Sequence, residues 1–441
     1  MKLKTNSAAL KRGFSFANMS SVRTLVVIPY CDFPPKAGAA QRMWRNISVL
    51  SRFGPTAVFS VDYNECSGST LPGVERWRHV DERRPGNKSR LRRGVERLVR
   101  VFFPPQYRGL DLAAEKRTNR ELRQVISDFQ PTVAVLDHWR FAVAPSPLKS
   151  RHFPLIVASH NVEWQLLRDL SDRAPSLLSR RRANTKVPYF RHLEARLYRS
   201  AARTWAVSDL DRRAIQCFTG LTSEVRALPI VTDVDYYEPV RRKVRVPPEA
   251  GKRSGPTVFY AGAYWWRPNA DAAHMLTEEI YPILRAAYPG TRLLLVGDRP
   301  TSLMKAAASA DDNVVVTGKV DDVRPYLAES DVVAVPLLIG GGMRSKILEA
   351  FAAGIPVVST TKGAEGIDVT DGRELLVRDG AANFAAGIQE LWNDPERARG
   401  IAERGLGFVR RDYSMEAMEA RVRAELEELS LAKVGGDEHA R

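Results

Sequence analysis

Apolar residues along this chain fall into short, unbroken runs, and the segments between the runs carry a helical period. In the first half the runs are Thr24–Pro29 (TLVVIP), Ala57–Val61 (AVFSV), Thr132–Asp137 (TVAVLD), Leu155–Ser159 (LIVAS) and Thr204–Val207 (TWAV). They are continuous rather than alternating, as strands buried on both faces are. The second half repeats the pattern at Val258–Ala261, Arg292–Val296, Val314–Thr317, Val332–Pro336, Pro356–Ser359 and Leu375–Val377, with helices such as Asn269–Ala287 and Arg344–Ala353 between them. Strands alternating with helices predict α/β architecture with parallel sheets. The Pro- and Arg-rich passage 238–256, EPVRRKVRVPPEAGKRSGP, reads as a linker. The expected layout is two doubly wound, Rossmann-like domains, 23–237 and 257–410, facing across a cleft. A helix at 411–432 is expected to pack back on the first domain, with a disordered basic tail at 1–22 and a polar tail at 433–441. Sheets of this kind bind ligands at the carboxyl ends of their strands.

Length and composition agree with two ordinary globular domains. The chain has 441 residues, 44% hydrophobic and 27% charged, and single cores stop growing at about 250–300 residues. No apolar stretch reaches the roughly 20 residues of a membrane span. The opening MKLKTNSAALKRGFSFANMSS lacks the apolar core of about 7–15 residues that a secretory signal needs; translation from Met19 would give the same domains. Cys31, Cys66 and Cys217 are odd in number and form no CxxC pair, which predicts reduced thiols, a cytoplasmic protein and no zinc site.

Charge is unevenly placed. Residues 1–250 hold 44 Lys and Arg against 23 Asp and Glu, whereas 251–441 hold 23 against 28. A basic half calls for an anionic partner: a membrane surface, a nucleic acid or an acidic substrate. RLRRGVERLVRVFFP (90–104) and SRRRANTKVPYFRHLEARLYR (179–199) could lie in an anionic headgroup layer; helices packing an apolar stripe on the sheet would read the same way.

The segment that carries chemistry is IGGGMRSKILEAFAAGIPVVSTT (339–361): a glycine turn between a strand and a helix. Gly340, Gly341 and Gly342 let a ligand approach bare backbone, and the helix that follows offers free N–H groups and a positive dipole end. Arg344 and Lys346 in its first turn are unfavourable by about 0.3–1 kcal/mol unless an anion sits there. Glu349, one turn after Lys346, could pair with it or accept hydrogen bonds from a vicinal diol. The spacing fits a bound diphosphate and a solvated turn with a surface ion pair equally well.

GGGMRSKILEAFAAGIPVVST resembles the nucleotide-sugar-binding segment of glycosyltransferase family 4 (glycosyltransferase group 1), the retaining enzymes of the GT-B fold. The landmarks TLVVIPYCDFPPKAGAAQR (24–42), SHNVEW (159–164), AVSDLDRRAI (206–215), VFYAGAYWWRPNADA (258–272), LLLVGDRP (293–300) and VTGKVDDVRPYLAESDVVAVPL (316–337) follow in the family's order. The resemblance implies transfer of a sugar from a UDP- or GDP-linked donor to a hydroxyl of a glycan, lipid-linked or small-molecule acceptor, with retention, in polysaccharide or glycolipid synthesis. It implies Glu349 on the donor ribose, as the second acid of an E-x7-E pattern whose first position is here Gly341. Sugar hydroxyls would then meet the amides of Gly341, Gly342 and Met343. The turn at Gly262 lacks the family's Arg and Lys, so Arg344 and Lys346, with Arg267 as helper, would grip the diphosphate. His160 matches the family's catalytic-site histidine, Gly38 would leave room for phosphate or acceptor, and Arg42 joins that loop unless it is simply a solvated helix residue. Asp209-Leu210-Asp211 and Asp233-Val234-Asp235 read as structural, Asp209 as a helix N-cap and Asp233 as part of a hinge, so no metal or other cofactor is expected. The expected place is the cytoplasm, peripheral on the inner membrane face. Oligomeric state is open. A GT-B sugar-nucleotide epimerase is the alternative enzyme. No nucleic-acid partner is expected: pI ≈ 9.9 suggests one, but no RRM, KH or zinc-finger pattern accompanies it.

Overall fold

The computed structural model describes residues 22–29, 38–62, 73–81, 116–138, 146–149, 153–173, 176–243, 254–342 and 344–437. The 1–21 tail, the basic segment 90–104 and Met343 lie outside the described residues. By packing, the chain forms two compact units: Met1–Lys36 with Met43–Val157 and Ser200–Ala202, and Ala37–Arg42 with Ala158–Arg199 and Arg203–Arg441.

Among the described residues the first sheet has seven strands: β1 (Thr24–Ile28), β2 (Thr56–Asp62), β3 (Val74–Asp81), β4 (Val133–Asp137), β5 (Leu155–Ala158), β6 (Arg203–Ala206) and β7 (Val225–Ala227), in the order β3-β2-β1-β4-β5-β6-β7. The second has β8 (Thr257–Ala261), β9 (Arg292–Val296), β10 (Val314–Gly318), β11 (Val332–Val335), β12 (Val357–Ser359) and β13 (Leu376–Val377), in the order β10-β9-β8-β11-β12-β13. Both orders place the first strand centrally and reverse direction beside it, the doubly wound α/β arrangement. Their centres are dry: every residue of β1, β4 and β11 is buried.

The helices that matter for the site are α1 (Gly38–Leu50), α2 (Lys116–Phe129), α3 (Glu163–Asp172), α4 (Leu177–Asn184), α5 (Val187–Arg199) and α6 (Asp209–Thr219). In the second half they are α7 (Arg267–Met275), α8 (Ser302–Ala310), α9 (Ser345–Ala353), α10 (Ala381–Asn393), α11 (Pro395–Asp412) and α12 (Met415–Asp437). The segment read as one helix over 269–287 contains a π-turn at Leu276–Ile280 before helix resumes at Tyr281. Pro282 lacks the N–H that a regular α-helix would bond there, and the wider turn absorbs the gap. In 179–199, α5 buries Phe190, Leu193 and Leu197, so its apolar stripe is part of the protein's interior. Glu425 and Glu428 of α12 bind Arg203 at 3.1 and 2.8 Å.

Candidate functional site

The switch point of the second sheet lies between β8 and β11, and two turns leave it there. Gly262 follows β8; the glycines 340–342 follow β11 and lead into α9. The structure moves Arg344 out of the helix's first turn, where the sequence put it. Arg344 is the residue before the helix, φ −91 and ψ 90. Its guanidinium turns back on its own loop: Nη1 donates to the carbonyls of Gly341 (2.5 Å) and Gly342 (2.9 Å), and Nη2 to Lys362 O at 3.5 Å. Nε is buried without a hydrogen-bond partner. Burial lowers the Arg344 pKa, opposed by Glu365 and Asp211 nearby. At Gly340 and Gly342 the glycine is required by a positive φ and by close neighbours. A Cβ on Gly340 (φ +145) would meet Arg344 Nη2 at 2.7 Å, and one on Gly342 (φ +68) would meet His160 O at 2.6 Å.

Lys346 is the other cation. Its ammonium donates to Tyr260 Oη and to Asn269 Oδ1, both at 3.0 Å, and lies 4.3 Å from the centre of the Tyr260 ring. Asn269, in the first turn of α7, is fixed by donating to Ala263 O at 3.1 Å and accepting from Tyr260 Oη at 2.9 Å. The Gly262 turn closes over it, since a Cβ on Gly262 would sit 2.9 Å from Asn269 Cγ. Burial, and then the positive field of Arg344, push the Lys346 amine down to about 7, with Glu349 opposing. Both groups that hold the amine are neutral.

A second cluster surrounds His160, which is buried just after β5. Ser159 Oγ donates to Asn161 O at 2.7 Å and lies 3.0 Å from Tyr198 Oη. Asn161 Nδ2 donates to Glu163 Oε1 at 2.9 Å. Glu194 of α5 then caps α3, accepting the N–H groups of Glu163 (3.0 Å) and Trp164 (2.8 Å) and the Tyr198 hydroxyl (3.0 Å). Both acids are buried. Burial raises Glu163 to about 8, against its Asn161 hydrogen bond, and raises Glu194 to about 7 despite three donors. Sequence reasoning passed over both. Glu163 looks like an ordinary helix-start acid, and Glu194 is hidden in a basic stretch.

Arg42 is 2% exposed and donates to Leu228 O at 3.3 Å, which overturns the solvated alternative. A Cβ on Gly38 would lie 3.8 Å from Ser345 Oγ. Asp209 is not the N-cap of α6. Ser208 is, accepting the Asp211 N–H at 3.0 Å, because the shorter hydroxyl side chain reaches back into the turn. Asp209 binds Arg212 and Arg213, and Asp211 accepts from Ser208 Oγ at 2.5 Å. Burial raises the Asp211 pKa, opposed by Ser208, Arg344 and Arg42. Asp233 accepts the Tyr236 N–H at 3.1 Å. Glu349 is half-buried on α9. Arg267 is partly exposed, with its guanidinium on Asp271 and Arg173 O.

Two doubly wound parallel-sheet domains, with a cationic helix start at the switch point of the second, define the GT-B architecture of glycosyltransferases. Residues 255–394 match the family model described as Glycosyl transferases group 1. It is 28% identical over 388 residues to the GDP-mannose-dependent alpha-(1-6)-phosphatidylinositol monomannoside mannosyltransferase of Mycobacterium tuberculosis, covering 77% of this chain and 94% of the relative. It is 30% identical over 241 residues to the lipopolysaccharide core biosynthesis glycosyltransferase LpsE of Rhizobium meliloti, covering 53% and 64%. Among solved structures, sucrose-phosphate synthase from Thermosynechococcus elongatus aligns with TM-score 0.69 at 15% identity, over 93% of this chain and 100% of that one. Anabaena HepE in complex with UDP and glucose aligns with TM-score 0.62 at 13% identity, over 92% and 99%. The likeness to these two structures concerns the fold. Among the described residues no helix is long and apolar enough to cross a membrane.

Proposed function

We propose that the protein transfers a sugar from a nucleoside-diphosphate donor to a hydroxyl of a glycolipid or polysaccharide acceptor, with retention of configuration and without a metal. The observation that carries this is Lys346: an ammonium ion fixed by Tyr260 and Asn269 at the start of α9, with Glu349 one turn further on. The diphosphate would take the ammonium and the free N–H groups of α9, with the buried guanidinium of Arg344 behind them. Glu349 would accept from the ribose diol. The amides of Gly341 and Gly342 would face the sugar, and His160 would reach it from the end of β5. GDP-mannose, the donor named for the mycobacterial relative, is the first donor to try, and a UDP-sugar the second.

In the reaction the acceptor oxygen bonds to the anomeric carbon on the face that the diphosphate leaves. The bond from that carbon to the phosphate oxygen breaks, and the acceptor's proton passes to the same phosphate oxygen. Charge grows on the leaving diphosphate, so fixed cations there act in the transition state. Each charge-assisted contact contributes about 1.5–3 kcal/mol. The site lies on a protein expected to work beside lipid, in line with the phosphatidylinositol mannoside acceptor named for the mycobacterial relative.

Titration of the full chain with GDP, UDP, GDP-mannose and UDP-glucose tests the reading, with product anomer read by NMR. Glu349→Ala should weaken nucleotide binding about tenfold or more, as loss of a charged hydrogen-bond acceptor does. Equal nucleotide affinity in wild type and Glu349→Ala, or an inverted product, would overturn it.

A further inference from the structure

We infer that Asn161 is the side chain through which this site distinguishes one donor sugar from another, with Glu163 as the positioning residue behind it. The inference rests on the nucleotide-sugar reading above.

The loop after β11 offers glycine at 340, 341 and 342, so its described residues meet a ligand with backbone alone. Backbone amides bind hydroxyls but do little to separate epimers. A discriminating group has to come from a side chain facing the loop, and beside His160 the amide of Asn161 is such a group. From the position a Cβ would take on Gly341, Asn161 Cβ and Oδ1 both lie at 3.5 Å. On Gly342 the same construction falls 2.4 Å from Asn161 Oδ1. The amide therefore fills the volume that a side chain on Gly342 would occupy and sits at ordinary contact distance from Gly341, with its oxygen towards the loop.

Asn161 is also held more firmly than a loop residue needs to be. Its carbonyl accepts from Ser159 Oγ at 2.7 Å, and its Nδ2 donates to Glu163 Oε1 at 2.9 Å. Glu163 is fixed in turn, because Glu194 binds its N–H and that of Trp164. Two carboxyl groups are thus buried behind one amide. A hydrogen-bonding group whose own partners are fixed rejects a hydroxyl in the wrong place, whereas a mobile one adapts to it.

The test is calorimetric titration of the full-length protein with a nucleoside diphosphate and two epimeric sugars on it: GDP, GDP-mannose and GDP-glucose, or UDP, UDP-glucose and UDP-galactose. Asn161→Ala and Asn161→Ser should keep nucleoside-diphosphate affinity within about twofold and lose about tenfold or more of the wild-type preference between epimers. Glu163→Ala should lose the preference as Asn161→Ala does. Glu163→Gln, which can still accept from Asn161, should retain it. An unchanged epimer preference in both Asn161 variants, with nucleotide binding intact, overturns this inference alone. A wild-type protein that binds neither nucleotide series overturns the site reading and the inference with it.

Discussion

Replacing Lys346 with methionine tests the site most sharply, because the structure gives this amine an unusual cost and an evident remedy. Its neighbours are a phenol and an amide, and burial beside Arg344 brings it from an ordinary 10.5 to about 7. The folded protein therefore binds fewer protons than the unfolded chain between about pH 7 and 10.5, so this group makes stability rise with pH across that window. Below about pH 7 the whole penalty is present, at most about 5 kcal/mol, and less once solvent screening at a half-buried site is allowed for. A diphosphate reverses the situation. Two negative charges beside the amine favour its charged form, so a donor binding above about pH 7 must take up a proton.

The assay is calorimetry with an intact nucleotide sugar, whose doubly esterified diphosphate does not itself titrate near neutrality, in buffers of different ionisation enthalpy. Wild type should take up close to one proton at pH 8.5 and close to none at pH 6. Affinity should fall up to about tenfold for each pH unit above 7. Lys346→Met should bind the donor about 10- to 100-fold more weakly at pH 6.5, as expected for one charge-assisted contact. The variant should take up no proton at any pH, and without ligand at pH 6.5 it should melt higher than wild type. Proton uptake near zero in wild type at pH 8.5, or uptake persisting in Lys346→Met, would refute the assignment.

Two stability measurements bear on other parts of the fold. Glu163 and Glu194 have raised pKa values, about 8 and about 7, so both hold protons that the unfolded chain has released. They make stability fall as pH rises from about 4.5 to about 8, and Glu163→Gln should flatten that decline in urea titrations; an unaltered slope counts against buried acids there. Arg203, almost wholly buried, joins β6 to Glu425 and Glu428 of α12 and donates to Ser223 O at 2.6 Å. Arg203→Ala should cost about 3 kcal/mol, the low end for breaking a buried pair because Arg226 still reaches both acids. A loss under about 1 kcal/mol by urea unfolding would show α12 to be docked by other means.

The interior strands were legible because burial on both faces leaves an unbroken apolar run. β1, β4, β8, β9 and β11 lie within one or two residues of their expected positions. β3 was not legible: VERWRHVD carries Arg76 and Arg78 on a half-solvated edge strand, where polar residues are tolerated and no run forms. The three-residue β7 is too short to show a period. At the site, the glycine turn and its two cations could be read from residue type and spacing. The reversal of Arg344 onto the carbonyls of Gly341 and Gly342 could not, because it depends on how tightly the turn closes. Nor could the Glu163–Glu194 arrangement. The two acids are 31 positions apart in the chain, and only the packing of α5 against α3 brings them together.

These groups divide into two kinds of destabilising device, and the division says which belongs to the ligand. The Glu163–Glu194 pair works against stability as pH rises to about 8; Lys346 works against it as pH falls towards 7. Near neutrality the free protein bears part of both. A bound diphosphate can relieve only Lys346, since Glu163 and Glu194 are engaged by Asn161, Tyr198 and the N–H groups of α3. The cost of the acids therefore persists in the complex, as the cost of preorganisation does, whereas the cost at Lys346 is returned when the donor binds. On the proposed reading, the site holds its sugar-facing amide rigid in every state, and above neutrality its phosphate-facing amine is fully charged only when an anion is present. It follows that donor affinity should depend on pH through one group, and epimer preference should not depend on pH through that group at all.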